Sequence, residues 1–144
     1  MTPLPASLKA RLKATCMAGG YGRVAKSIER HPEEFAGRLR IRPGPWSLDI
    51  ACGTGNIAIP AARAGMVVTG VDSAPHLLEQ AREPPTGANV RFEQSDAETL
   101  RYPDVDFDLV VTMYGAMFAR RHDRVAAELV AANVARRRAP VRRR

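Results

Sequence analysis

The segment that most constrains this chain is LDIACGTGN, Leu48 to Asn56. An apolar strand that runs into glycines and turns at once into a helix begins a strand–turn–helix unit. Gly53 and Gly55 carry no Cβ, so the backbone there can adopt φ > 0 and a ligand can come close to it. In open α/β sheets, ligands bind beyond the carboxyl ends of the strands, near the switch in strand order. The spacing places this turn there.

The flanking sequence supports such a sheet. Trp46 to Ala51 reads as a strand, and the helix after the turn spans about Asn56 to Ala64, ending at Gly65, a suitable C-cap. Met66–Val71 reads as a second strand closed by Asp72. Pro75–Arg82 reads as a helix with proline in its first turn, capped by Asp72 or Ser73. Val90–Glu93 and Phe107–Thr112 are the third and fourth strands, and about Asp123–Ala135 is helical. Upstream, 5–18 and 21–39 read as helices broken at Gly19-Gly20, and Arg42-Pro43-Gly44-Pro45 ends that region. Strands alternating with helices, and strands apolar on both faces, predict an α/β fold with a parallel sheet between helical layers. The expected strand order is 3-2-1-4.

Length and charge narrow the function classes. With 144 residues the chain is one domain, and no stretch reaches the roughly 18 apolar residues of a membrane span. The N-terminus lacks the apolar run of a secretory signal. Cys16 and Cys52 have neither zinc-site nor disulfide-framework spacing, which fits reduced thiols and a cytoplasmic setting. Of the net charge of +7, six units reside in the final RRRAPVRRR, which holds six arginines; residues 1–135 carry 16 basic against 15 acidic side chains. A nucleic-acid-binding domain spreads basic residues over a folded face, so specific nucleic-acid binding is not expected. The division expected is a domain over 1–135, including N-terminal helices to residue 40, and an Arg-rich tail over 136–144.

Three carboxylates stand at successive strand ends. Asp49 lies inside an apolar strand, where burial without a partner is costly, so a positive ligand group or turn amides should satisfy it. Asp72 can accept both hydroxyls of a ribose. Asp96 can meet the exocyclic amine of an adenine. Singly, Asp72 reads equally well as a helix cap and Asp96 as a turn residue. Together with the glycine turn they suit a ligand with a cationic end, a ribose and an adenine. GTGNIA also fits the dinucleotide fingerprint of an NAD(P)- or flavin-dependent oxidoreductase. Asp49 beside a diphosphate and the lack of a hydride-transfer partner count against that alternative.

The runs LDIACGTGNIAIPAARAG, VTGVDSAPHLLEQAR and FEQSDAETLRYPDVDFDLVVTMYGAMFA resemble class I S-adenosylmethionine-dependent methyltransferases, in the ubiquinone/menaquinone-biosynthesis-like group. The resemblance covers about Cys16 to Val130. It implies a Rossmann-like sheet with an N-terminal helical lid, and methyl transfer to a small-molecule acceptor with S-adenosylmethionine as cofactor. By it, Asp49 and the backbone of Ala51, Cys52, Gly53, Thr54 and Gly55 contact the methionine part. Asp72 and Ser73 hold the ribose, Asp96 and Ala97 contact the adenine, and Thr112 and Met113 line the methyl-transfer side. In MAGGYGRVA, Tyr21 closes over the cofactor. No residue is assigned as catalytic; His122 reads as an exposed helix start, Tyr114 as a better pocket candidate. The family continues past the fourth strand into further strands, where this sequence gives AANVARRRAPVRRR. The expectation is a C-terminally truncated fold whose turnover is in doubt, a non-catalytic cofactor-binding fragment being the alternative. The open edge of the fourth strand then invites a homodimer.

Overall fold

The computed structural model describes residues 10–11, 14, 34–35, 37–39, 44–83, 87, 89–102 and 107–138. The helices expected over 5–18 and 21–39 fall mostly outside these residues, and Tyr21 lies outside them. Four strands, β1 (Trp46–Ile50), β2 (Val67–Asp72), β3 (Val90–Gln94) and β4 (Leu109–Val111), form a parallel sheet in the order β3-β2-β1-β4. The order is the one the sequence predicts. Between them lie helices α1 (Ala58–Arg63) and α2 (Pro75–Arg82), and after β4 come a 3-10 turn (Gly115–Phe118) and helix α3 (His122–Arg138).

The pleat sorts the strand residues onto two apolar faces. On one, Val68 and Phe92 pack with Ala58, Ile59, Ala61 and Ala62 of α1 and with Leu78 and Ala81 of α2. On the other, Leu48, Ile50 and Val71 meet Phe107 and Ala132, with Leu129 of α3 packed against them. Leu48, Ile50, Val68, Val71 and Phe107 are at most 1% exposed, and burying such a side chain stabilises by about 1.5–3 kcal/mol. These two faces hold the strand ends, and so the site, in fixed register. Gly70 is part of this packing: a Cβ there would lie 2.8 Å from the Phe92 ring and 3.0 Å from Cys52 Sγ.

Several element boundaries differ from expectation, each for a local reason. Helix α1 starts at Ala58 rather than Asn56 because Gly53 and Gly55 both hold positive φ and residues 53–57 are spent on the turn. Strand β4 is three residues long: Phe107 turns its ring into the core edge-on to Tyr102, with centroids 5.6 Å apart, before pairing begins. Asp108 bridges to β1 instead, its Oδ2 accepting from the Trp46 amide at 2.8 Å. Neither Asp72 nor Ser73 caps α2; Ala74 occupies the N-cap position and no side chain caps it. Helix α3 runs on through Arg138, three residues past the predicted end. Among the described residues, no helix is long and apolar enough to cross a membrane.

Candidate functional site

The carboxyl ends of β1, β2, β3 and β4 bring the expected residues other than Tyr21, which lies outside the described residues, to one end of the sheet. Asp49, in register with Gly70 of β2 and Val111 of β4, is 3% exposed. The Ala58 amide donates to its carboxylate, but Oδ2 is fully buried and meets no hydrogen-bond partner. Burial penalises the charged form and pushes its pKa up to about 7; the Ala58 amide pulls it down, and the negative Asp72 nearby raises it.

The turn that follows is built from unusual backbone. Ala51 has φ +58°, a left-handed conformation that a side chain makes costly, and Gly53 and Gly55 have φ +55° and +83°. The two glycines do different work. A Cβ on Gly53 would meet nothing within 4 Å, so this glycine leaves its approach open. On Gly55 it would lie 3.0 Å from Ile59 and Phe92 side chains. Gly55 takes the positive φ expected of it, and its missing Cβ also makes room for the core. Cys52 likewise turns its side chain inward, is 7% exposed, and has its thiol pKa raised by burial. The Thr54 hydroxyl donates to Asn56 Oδ1 at 3.1 Å within the turn.

Asp72 ties this turn to β2. Its Oδ2 accepts from the Gly53 amide and its Oδ1 from the Ala74 amide, both at 2.9 Å. Each carboxylate oxygen keeps a second lone pair, and the residue is only half-buried. Ser73 is exposed, and its carbonyl accepts from Gln94 Nε2 at 3.4 Å. Asp96 folds the chain back after β3: its Oδ1 accepts from the Glu98 amide and its carbonyl from the Thr99 amide, both at 3.0 Å. The turn role considered for Asp96 is thus real, and Ala97 beside it packs against the cluster of Leu48, Ile50, Val71, Phe107 and Ala132.

Beyond β4, Thr112 Oγ1 is buried without a partner, and the Met113 carbonyl accepts from the Gly115 amide at 2.7 Å. Gly115 is a residue the sequence reading passed over. A Cβ on it would lie 2.5 Å from Ala51 Cβ and 2.6 Å from the Ala51 carbonyl oxygen, so the two turns are locked together there. A glycine just after an apolar strand was the available signal. Tyr114 (φ +63°), Met117 and Phe118 are exposed on this turn. His122 is exposed at the start of α3, its Nε2 2.9 Å from the Met117 carbonyl. Among the described residues, no group of three or more His, Cys, Asp or Glu side chains could hold a metal. A cleft of about 500 Å³ opens between Glu98–Arg101 and α3, lined by Arg124 and Glu128; none of the expected site residues lines it.

Residues 48–137 match the methyltransferase-domain family. The chain belongs to that family. An uncharacterised protein of Mycobacterium tuberculosis is 46% identical over 99 residues, covering 67% of this chain and 35% of that protein. The 27-O-demethylrifamycin SV methyltransferase of Amycolatopsis mediterranei is 40% identical over 90 residues, 59% of this chain and 33% of the enzyme. Among solved structures, magnesium protoporphyrin IX methyltransferase from Synechocystis, with bound S-adenosylmethionine, aligns with TM-score 0.75 at 16% identity. That alignment covers 92% of this chain and 74% of the other, and shows a shared fold. The chain spans about a third of the length of the curated relatives it matches.

The residues present fit S-adenosylmethionine, the ligand bound in the Synechocystis structure. The open face of Gly53 gives room for close approach to backbone. The half-buried Asp72 retains acceptor capacity for hydroxyls. The unpartnered oxygen of Asp49 calls for a cation or an N–H donor, which an α-ammonium or a water held by it supplies.

Proposed function

We propose that this chain binds S-adenosylmethionine at the carboxyl end of the sheet and serves methyl transfer to a small-molecule acceptor. The observation that carries the reading is the meeting of two carboxylates, Asp49 and Asp72, around a glycine turn whose Gly53 is open to approach. A diphosphate-bearing dinucleotide has no use for that pair of negative charges, whereas a sulfonium amino acid joined to a ribose does.

In this reading Asp49 and the backbone from Ala51 to Gly55 receive the methionine part, Asp72 and Ser73 the ribose, and Asp96 and Ala97 the adenine. Thr112 and Met113 line the side from which the methyl group leaves, and Tyr21 closes over the cofactor. When bound, the cofactor supplies a methyl carbon already activated by its sulfonium. The protein's share is to hold and align it and to keep water away. The three runs quoted above support placement in the ubiquinone/menaquinone-biosynthesis-like group, and the edge position of β4 among the described strands supports self-association as a homodimer. We place its work in the cytoplasm, on the spacing of its cysteines.

Calorimetric titration of the purified chain with S-adenosylmethionine, S-adenosylhomocysteine and NADH tests the reading. Saturable micromolar binding of the two sulfur ligands and none of NADH is expected. Binding of NADH in their place would overturn it.

A further inference from the structure

The turn after β4 is tied at both ends. At its start, Gly115 lies against Ala51. Its own sequence does little to hold it: no side chain caps the 3-10 turn, and Tyr114, which leads into it, has φ +63° and ψ −42°. A bulky residue keeps such a conformation only where the surrounding structure imposes it. At the far end, His122 Nε2 lies 2.9 Å from the Met117 carbonyl. The Arg120 and Arg121 amides, which precede α3, both donate to Glu98 Oε1, at 2.8 and 3.3 Å. One carboxylate oxygen has the two lone pairs this needs, and bonds to an ionised acceptor are roughly twice as strong as neutral ones.

Glu98 belongs to the other side of the site, 22 residues before Arg120. Its amide donates to Asp96 Oδ1 and the Thr99 amide to the Asp96 carbonyl, so residues 96–99 form one closed turn. Packing does not duplicate the link that Glu98 makes. Ala97 and Leu100 face the core cluster, whereas a cleft of about 500 Å³ separates residues 98–101 from Arg124, Ala127 and Glu128 of α3. Asp96, the acid expected to meet an adenine, thus shapes the same turn that presents Glu98 to the segment after β4.

We infer that Glu98 is a positioning residue: it ties the adenine-side turn at Asp96 to the turn after β4, so that a nucleoside seated at Asp96 fixes the backbone on the methyl-transfer side. The inference rests on the cofactor reading above. A ligand held by Asp96 and Ala97 steadies residues 96–99, and Glu98 Oε1 then holds the two amides more persistently. Residues 114–118, which follow Thr112 and Met113, lose freedom in consequence. The coupling is reciprocal: an acceptor that fixes the turn after β4 also tightens the ligand at Asp96.

The test follows amide hydrogen exchange by NMR, residue by residue, in the free chain and in the chain saturated with S-adenosylhomocysteine. The amides of residues 129–132, in the middle of α3, serve as the reference for general stabilisation by the ligand. Relative to them, the Arg120 and Arg121 amides are expected to exchange at least about fivefold more slowly with ligand bound, the lower end of ordinary couplings between sites. Glu98→Gln keeps an acceptor oxygen at the same reach and is expected to retain that slowing. Glu98→Asp keeps the charge but is one methylene too short, and Glu98→Ala has no acceptor. Both are expected to bind S-adenosylhomocysteine yet show less than about twofold slowing at those two amides. The aspartate variant carries the comparison if the alanine variant does not fold. Wild-type amides 120 and 121 unmoved by bound ligand, or a slowing that survives in Glu98→Asp, would overturn the inference and leave the cofactor reading intact. Failure of S-adenosylhomocysteine and S-adenosylmethionine to bind a folded chain would overturn the cofactor reading, and this inference with it.

Discussion

Asp49 also sets a term in the stability of the ligand-free protein, and that term can be measured without any ligand. Its pKa moves from an ordinary 3.8 to about 7 on folding, mainly because burial penalises the carboxylate. Between those values the native chain keeps a proton that the unfolded chain has released. Stability therefore falls as pH rises through the window, the reverse of the usual salt-bridged carboxylate. A shift of about 3 units at 1.36 kcal/mol per unit corresponds to roughly 4 kcal/mol lost between pH 4 and pH 8. Against a total of about 5–15 kcal/mol for a domain, this is a large fraction from one side chain. Asp123, whose pKa its exposed partner Arg121 lowers to about 2, titrates below this window and does not mimic the effect.

Asp49→Asn removes the titration while keeping nearly the same shape. At pH 5, where the wild-type group is neutral, the two proteins are expected to unfold at similar urea concentrations. At pH 8 the variant is expected to be more stable by about 2–4 kcal/mol, short of the full amount where the amide leaves its own polar atoms unpaired. For a chain of this size that corresponds to roughly 6–12 °C in melting temperature. Urea unfolding followed by fluorescence and circular dichroism at pH 5, 6.5 and 8 reads the difference. Parallel stability profiles for the two proteins over that range would refute the reasoning, because they would mean that the wild-type carboxyl is already ionised at pH 5.

Two glycines test the packing that places the site. Gly115→Ala drives a methyl to 2.5 Å from Ala51 Cβ, so the turn after β4 must shift away from the glycine turn; a loss of about 1–3 kcal/mol is expected, with S-adenosylhomocysteine affinity weakened at least about tenfold, by urea unfolding and calorimetry. Gly70→Ala pushes against the Phe92 ring at 2.8 Å in a filled core and is expected to cost a similar amount. Adding Phe92→Leu should recover part of that cost, a non-additive result that a double-mutant cycle detects.

The sheet was legible because its signals are local and repeated. Apolar runs of strand length, each followed by a helix pattern, leave few topologies open, and β3-β2-β1-β4 is the expected one. The carboxylates were legible because acids are rare at the ends of buried strands. What escaped depends on contacts distant in sequence. Gly55 was legible as a turn glycine with positive φ, but not that its missing Cβ also leaves room for Phe92 of β3. Gly115 carried no periodic signal, and its role exists only because Ala51 lies against it. Asp72 looked like a cap or a ribose ligand; its bond to the Gly53 amide requires β1 and β2 to be side by side. Asp96 shows the opposite case, in which the local turn reading held in full.

The backbone and polar costs of this fold are not spread evenly. Ala51 and Tyr114, the two non-glycine residues with positive φ among those described, flank the carboxyl ends of β1 and β4. Asp49 Oδ2 and Thr112 Oγ1, buried without partners, lie on the same two strand ends. Each such feature costs on the order of 1–3 kcal/mol. Ser47, similarly unpartnered but near the start of β1, shows that a single buried hydroxyl occurs elsewhere too. Four costs on adjacent strand ends are a different matter. Folding alone would be served by a glycine at 51 and an apolar residue at 49. In the function proposed above, a ligand supplies the missing partners, and the stability given up in the free chain becomes affinity when it binds.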